Sequence, residues 1–96
     1  MRSDALVNVS LLPAADGGLL SSIPVGVYHG IMMFDETQGY DFRSYIDEPF
    51  EPGSSRNMKV AFLSPDEVLP LLSVGAPFNI WAGRVVARGH LIEVLR

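Results

Sequence analysis

A few side chains in this sequence are of types that could do chemistry. His29 and His90 are of the type that serves as a metal ligand or a general base. The adjacent acidic pairs Asp35-Glu36, Asp47-Glu48 and Asp66-Glu67 could hold a cation or move a proton. Trp81, Arg84 and Arg88 stand close together near the C-terminal end and belong to the types that anchor interfaces. Tyr28, Met32 and Phe34 share one face of an apolar strand and could form a patch for a partner.

Catalysis needs a nucleophile or a metal with a positioned base. The sequence has no G-x-S-x-G, no H-E-x-x-H and no clustered His/Asp spacing. Each histidine lies in an apolar strand pattern, where packing or surface roles are the ordinary ones. The acidic pairs fall in turns or at a helix cap, where neighbouring carboxylates are ordinarily solvated. Catalytic carboxylates face each other across a cleft, which sequence adjacency does not provide. No catalytic residue, cofactor-binding residue or metal ligand is therefore assigned. The chain is expected to be no enzyme and to need no cofactor. The absence of G-x-x-x-x-G-K-[ST] removes a phosphate-binding loop, so no nucleotide is expected either.

What remains is binding. Arg84 and Arg88 share strand parity and could project together beside Trp81, with Arg56 and Lys59 adding charge. The competing reading is a scattered solvated surface, because seven Lys and Arg are sparse for phosphate contact. Trp81 fits an interface or core packing equally well. Tyr28, Met32 and Phe34 fit either a core wall or an apolar patch for another protein or a second copy of the chain.

The elements that must position these residues follow from composition and periodicity. The chain has 96 residues, which suits one domain. Hydrophobic residues make up 48% and charged residues 19%, a globular balance. The formal net charge is −4, which disfavours nucleic acid as a partner. There is no cysteine, so a reducing, cytoplasmic setting is expected and thiol chemistry is excluded. No secretory signal pattern is visible, and no apolar run approaches the length of a membrane helix.

Residues 1–4 read as a polar tail and residues 5–96 as the domain. Ala5, Val7, Val9 and Leu11 alternate with Asn8 and Ser10, the pattern of a half-buried strand. Pro13 to Gly18 is a turn, and 19–24 is irregular. Val25–Phe34 is a strand with both faces apolar or aromatic. Such a strand is covered on both sides or lines an interface. Asp35–Gly39 is a polar turn, and Tyr40–Ile46 is a strand. The DEPFEPG stretch within 47–54 is a restricted turn, and 57–63 is a strand with Met58, Val60 and Phe62 facing in.

Ser64-Pro65-Asp66-Glu67 has the form of a capping box, and Pro70 limits that helix to about a turn. Leu69, Leu71 and Leu72 are expected to plug one end of the core. Phe78 and Ile80 alternate with Asn79 and Trp81 before the Ala82-Gly83-Arg84 turn. The final strand, 85–95, changes phase near Gly89, where a β-bulge is expected. Five or six strands and no amphipathic helix make an all-β barrel or sandwich.

Three stretches carry a family likeness. Val9–Gly18 followed by Ile23-Pro-Val-Gly26 and an apolar strand is the first. Phe50-Glu-Pro-Gly53, with a strand ending at Leu63-Ser-Pro65, is the second. Phe78-Asn-Ile-Trp-Ala-Gly-Arg-Val-Val-Ala-Arg-Gly89 is the third. In order and spacing, along nearly the whole chain, they resemble the C-terminal barrel, domain 3, of translation elongation factor Tu. The resemblance implies a six-stranded antiparallel Greek-key-like β-barrel with one short helical turn. It also implies contact with proteins, and with the T-stem of tRNA, as in that factor. The departures bear on function. The family's Y-R-P-Q-F is Val27-Tyr-His-Gly-Ile31 here, which loses the Arg and Pro that go with tRNA contact. Trp81 replaces the first Arg of the I-R-E-G-G-R turn, Arg84 keeps the second, and Arg88 falls where the family has a small residue.

The expectation is a non-catalytic, protein-binding barrel, for example a bacterial immunity or antidote protein acting on a translation-related partner. The alternative is an RNA-binding module for tRNA or the ribosome. A homodimer through Val25–Phe34 is compatible with either.

Overall fold

In the computed structural model, residues 2–95 are described. Residue 1 of the expected tail and residue 96 of the expected domain lie outside the described residues. The strands are β1 (Ala5–Leu11), β2 (Gly26–Met33), β3 (Gly39–Ile46), β4 (Ser55–Phe62), β5 (Pro77–Trp81) and β6 (Val85–Val94). They close into an antiparallel barrel in the order β1-β4-β3-β2-β5-β6. β2, β3 and β4 form a meander, and β5 returns to lie beside β2. That arrangement is a Greek key, so the expected six-stranded Greek-key-like barrel is the fold observed. The helical content is one short turn, α1 (Pro65–Val68), with 3-10 turns at Ala14–Asp16 and Leu69–Leu71.

Alternation dictates which side chains enter the barrel. Along β1 the buried residues are Ala5, Val7, Val9 and Leu11, while those between them are partly exposed. Phe42 and Ile46 of β3, Met58, Val60 and Phe62 of β4, and Phe78 and Ile80 of β5 complete the same interior. Phe50, from the turn before β4, is fully buried and is tied to Ile23 by a two-residue bridge. Each large apolar side chain so buried contributes about 1.5–3 kcal/mol.

The polar tail ends earlier than expected. Asp4 is buried. Its backbone N–H donates to the Val60 carbonyl, and its carboxylate accepts the Phe62 N–H at 2.8 Å. Asp4 thus continues the β1–β4 ladder past the end of β1. The reason is geometric: the barrel end needs an acceptor for Phe62, and a short carboxylate reaches it.

Three further expectations are corrected. Ser64 makes no side-chain cap, and the Glu67 N–H bonds to the Ser64 carbonyl instead. The plug at that end is Val68, fully buried, with Leu72 partly buried beside it; Leu71 faces out. The bulge is not at Gly89, which stands in register with Val9 and Phe78. The ladders instead skip Val86 against β5 and Ile92 against β1. The two skipped residues shift the phase that the sequence showed.

Gly89 has a different purpose. A Cβ there would lie 2.1 Å from the Asn8 carbonyl oxygen and 2.6 Å from the Phe78 ring. Only a glycine lets β1 and β5 approach β6 this closely. Gly17, by contrast, has φ 89° and open space around its missing Cβ. Gly89→Ala is therefore expected to cost about 1–3 kcal/mol through overpacking, and Gly17→Ala about 1 kcal/mol through its left-handed backbone alone. Urea denaturation of both variants checks the order. A larger loss for Gly17→Ala would remove the close-approach explanation.

Candidate functional site: the outer face of the second strand

Strand β2 decides where the candidate residues go. Tyr28, Met32 and Phe34 all point into the barrel. Met32 has 0% exposure and belongs to the core. Phe34 is half-buried, its ring 6.3 Å from Phe78 and 6.1 Å from Tyr40. Tyr28 is half-buried with its ring 6.1 Å from Phe42, and burial pushes its phenol pKa up. Met32 and Phe34 are thus removed from the candidate contact surface. Both faces of β2 are apolar, and the opposite one looks out.

That outer face carries Val27, His29, Ile31 and Met33. Val27 is 56% exposed, His29 is exposed, and Ile31 and Met33 are half-buried. The register extends the face across neighbouring strands. Val27 stands opposite Tyr45, which is 60% exposed. His29 stands opposite Arg43, and Ile31 stands between Asp41 on β3 and Trp81 on β5. Trp81 is 41% exposed. Leu63 is 70% exposed, and its N–H donates to the Asp41 carbonyl, which adds it to the same row. Leu63, Asp41, Ile31 and Trp81 therefore line up across the barrel wall.

A groove of about 540 Å3 follows this row between Leu63 and Trp81. A second depression of about 480 Å3 shares Ile31, Asp41 and Trp81 with it and runs on past Met33 to Glu36. Gly39 shapes the floor there, since a Cβ would come within 2.3 Å of the Ile31 side chain. The turn beyond is fixed by Asp35. Its carboxylate accepts the Thr37 N–H and hydroxyl, each at 2.8 Å, and the Gln38 N–H. The backbone Thr37 bond, first among these, holds the Asp35 carboxyl below the usual carboxylate range.

The arginines divide by what holds them. Arg84 does not project beside Arg88. Its Nε donates to the Gly17 carbonyl at 2.6 Å and its Nη2 to the Gly18 carbonyl at 3.0 Å. Its guanidinium is committed to clasping the turn after β1. Arg56 is likewise committed, donating to the Glu48 and Pro49 carbonyls and lying 4.4 Å above the Phe50 ring. Arg88 is exposed on β6, opposite Ser10 on one side and Asn79 on the other. Asn79 in turn faces Met33, so Arg88 flanks the apolar face without joining it. Arg84 and Arg56 are held at separate turns, so the arginines follow the scattered reading rather than forming one basic patch.

The site can bind by apolar contact. Among the described residues, no group of three or more His, Cys, Asp or Glu is placed to hold a metal ion. No helix among them is long and apolar enough to cross a membrane. The sequence pattern singles out Trp81 and Tyr28, which borders the groove although its ring turns inward, but not Val27, Ile31, Tyr45 and Leu63 individually. The signal for Val27 and Ile31 was the doubly apolar pattern of 25–34, which marks a face without saying which side is wet. No protein-family model matches the chain, and no curated protein matches it.

Arg84→Ala should lower stability by about 1 kcal/mol, the worth of a surface pair of hydrogen bonds. Arg84→Lys should restore little, because a point donor does not span two carbonyls as the planar fork does. The acceptors are neutral, so the loss should persist in high salt, where an ion-pair contribution would be screened. Urea midpoints at low and high ionic strength provide the measurement.

Proposed function

We propose that this barrel is a non-catalytic protein-binding module whose contact face is the outer side of β2, with the adjoining parts of β3 and β5. One observation carries the reading. Every outward residue of β2 but His29 is apolar, and the exposed Tyr45, Leu63 and Trp81 extend that stripe sideways. A barrel wall that meets water ordinarily alternates apolar-in with polar-out. The outer face of β1, with Leu6, Asn8 and Ser10, keeps nearer to that rule, and its Asn8 and Ser10 bond to Asn57 and Ser55. An apolar stripe interspersed with His29, Arg43 and Asp41 and edged by a tryptophan has the composition of a protein contact.

A narrower version names the partner. It is a translation-related protein, or a toxin acting on translation that the barrel blocks as an immunity or antidote protein in a bacterial cytoplasm. This version rests on the resemblance to domain 3 of elongation factor Tu and on the acidic, cysteine-free composition. Binding of tRNA rests on the resemblance alone. Two of the arginines it would use are committed to backbone carbonyls.

The test is capture from the native host with tagged wild type, an Ile31→Asp/Trp81→Asp variant and an Asn8→Asp control on β1, three strands from β2 in either direction round the barrel. Circular dichroism checks that each is folded. The expected result is one protein at stoichiometric yield with wild type and control, absent from the double variant. Equal recovery by all three, or by none, would remove this face as the contact. RNA recovered in place of protein, and lost on Arg88→Ala, would replace the reading by the tRNA one.

A further inference from the structure

The β2 ladder is incomplete on one side. β2 pairs with β3 along its whole length, from Gly26 opposite Ile46 to Met33 opposite Gly39. It pairs with β5 at Ile31, Met32 and Met33 alone. The reason lies in β5, which ends at Trp81 where the Gly83 turn, φ 75°, sends the chain back as β6.

The direction of the unpaired groups follows from the pleat. Successive residues of a strand turn their N–H and C=O to opposite sides. The Asp41 carbonyl accepts from Leu63, so Asp41 and Arg43 turn towards β4, while Phe42 and Ser44 turn towards β2. Their partners Gly30 and Tyr28 complete that ladder. Val27 and His29 therefore aim their N–H and C=O away from β3, at the open edge. No backbone hydrogen bond from any loop or turn reaches either residue among the described ones.

We infer that this edge is a strand-addition site: an extended segment of the partner protein pairs with Val27 and His29, taking up the line of β5 where Trp81 leaves it. The inference rests on the protein-binding reading and says how the partner is held. Two residues of such a segment exchange roughly four backbone hydrogen bonds with the edge, as in other cases of β-augmentation. Alternation sets the side chains. The residue opposite Val27 faces out and extends the Val27–Tyr45 row, which favours a β-branched or aromatic type. The next residue faces in, beside Tyr28. A second copy of the chain fits less well. Two-fold pairing centred on Tyr28 puts residue 25 of that copy opposite Ile31, the place Trp81 already holds.

The probe is a random peptide display library, selected on the wild-type protein and then counter-selected on a Val27→Pro/His29→Pro variant. Those prolines remove the two outward donors and leave the β3 ladder intact. The expected result is enrichment of peptides with alternating apolar residues. Methylating the backbone nitrogen of either edge-facing residue should weaken them at least about tenfold. Should the proline variant fail to fold, the N-methyl series on wild type stands alone, with amide exchange as a second reading. The Val27 and His29 amides should exchange fast in the free protein and slow down with peptide bound.

No enrichment, binding indifferent to N-methylation, or slow exchange at both amides in the free protein would overturn strand addition. So would a concentration-dependent dimer abolished by Val27→Pro, which would give the edge to a second copy. Failure here is distinct from failure of the protein-binding reading. A native partner lost on Ile31→Asp/Trp81→Asp but retained by the proline variant keeps the apolar face and discards the strand.

Discussion

Closure of the barrel is the constraint on which everything else depends. A sheet closes only when its outermost strands find each other, and here β1 is the strand that closes it, paired along its length with β4 on one side and β6 on the other. Every inward residue of β1 is buried, and Asp4 carries its ladder one step further. Tight closure on this side requires Gly89, where no Cβ fits between Asn8 and Phe78. The far side is looser. β3 meets β4 in register at Phe42 and Arg43 alone, and beyond them the Ser44 hydroxyl donates to the Lys59 carbonyl. β2 meets β5 over a short stretch. The barrel is thus tightly laced around β1 and loosely laced around the β2–β3 hairpin, and the apolar outer face sits on the loose side.

Loop order in this protein is an arginine task. Arg84 and Arg56 each span two backbone carbonyls of a turn, one after β1 and one before β4. Such turns expose carbonyls that no strand satisfies, and the guanidinium fork answers two at once. The consequence is electrostatic as well as mechanical. Of seven basic residues in an acidic chain, these two are held against their own backbone. Charge complementarity to a polyanion is weak, and the surface that stands out is apolar.

Much of this was legible in the sequence, and the exceptions share one cause. β1, β3, β4 and β5 alternate apolar with polar, so their inward faces could be read directly. β2 offers apolar residues on both sides, and local pattern gives no phase. What settles it is pairing with β3, whose Phe42 and Ile46 must face in and carry Tyr28 and Met32 with them. The same holds for the bulges. The phase change along β6 is visible in its residues, but its location depends on what Ile80, Trp81, Leu6 and Val7 face across the ladder. Gly89 attracted the bulge reading because glycine suits bulges, while its actual role is room for a backbone oxygen and a ring. Arg84 was legible as a cation and illegible as a clasp, since Gly17 and Gly18 come to it only through the fold.

The shortness of the open edge is itself informative. An exposed edge strand invites uncontrolled pairing, and proteins limit it by charge, proline, bulges or length. Here the limit is length. At one end Gly26 takes φ 129° and Pro24 precedes it, so the strand cannot be extended backwards. At the other end Trp81 occupies the next place in the ladder. Main-chain bonding over two residues is too little to hold a strand unaided, because each net hydrogen bond is worth only about 1 kcal/mol and association must first overcome several kcal/mol of lost freedom. A segment that pairs here has to gain the rest from side chains, and the apolar stripe of Val27, Ile31, Trp81 and Tyr45 borders the edge where they would fall. The edge alone would pair with anything weakly, and the stripe alone would bury apolar surface without register. If strand addition is the mode of binding, the two together select a partner that offers an extended backbone and the right alternating side chains at once, and neither feature would give that selectivity by itself.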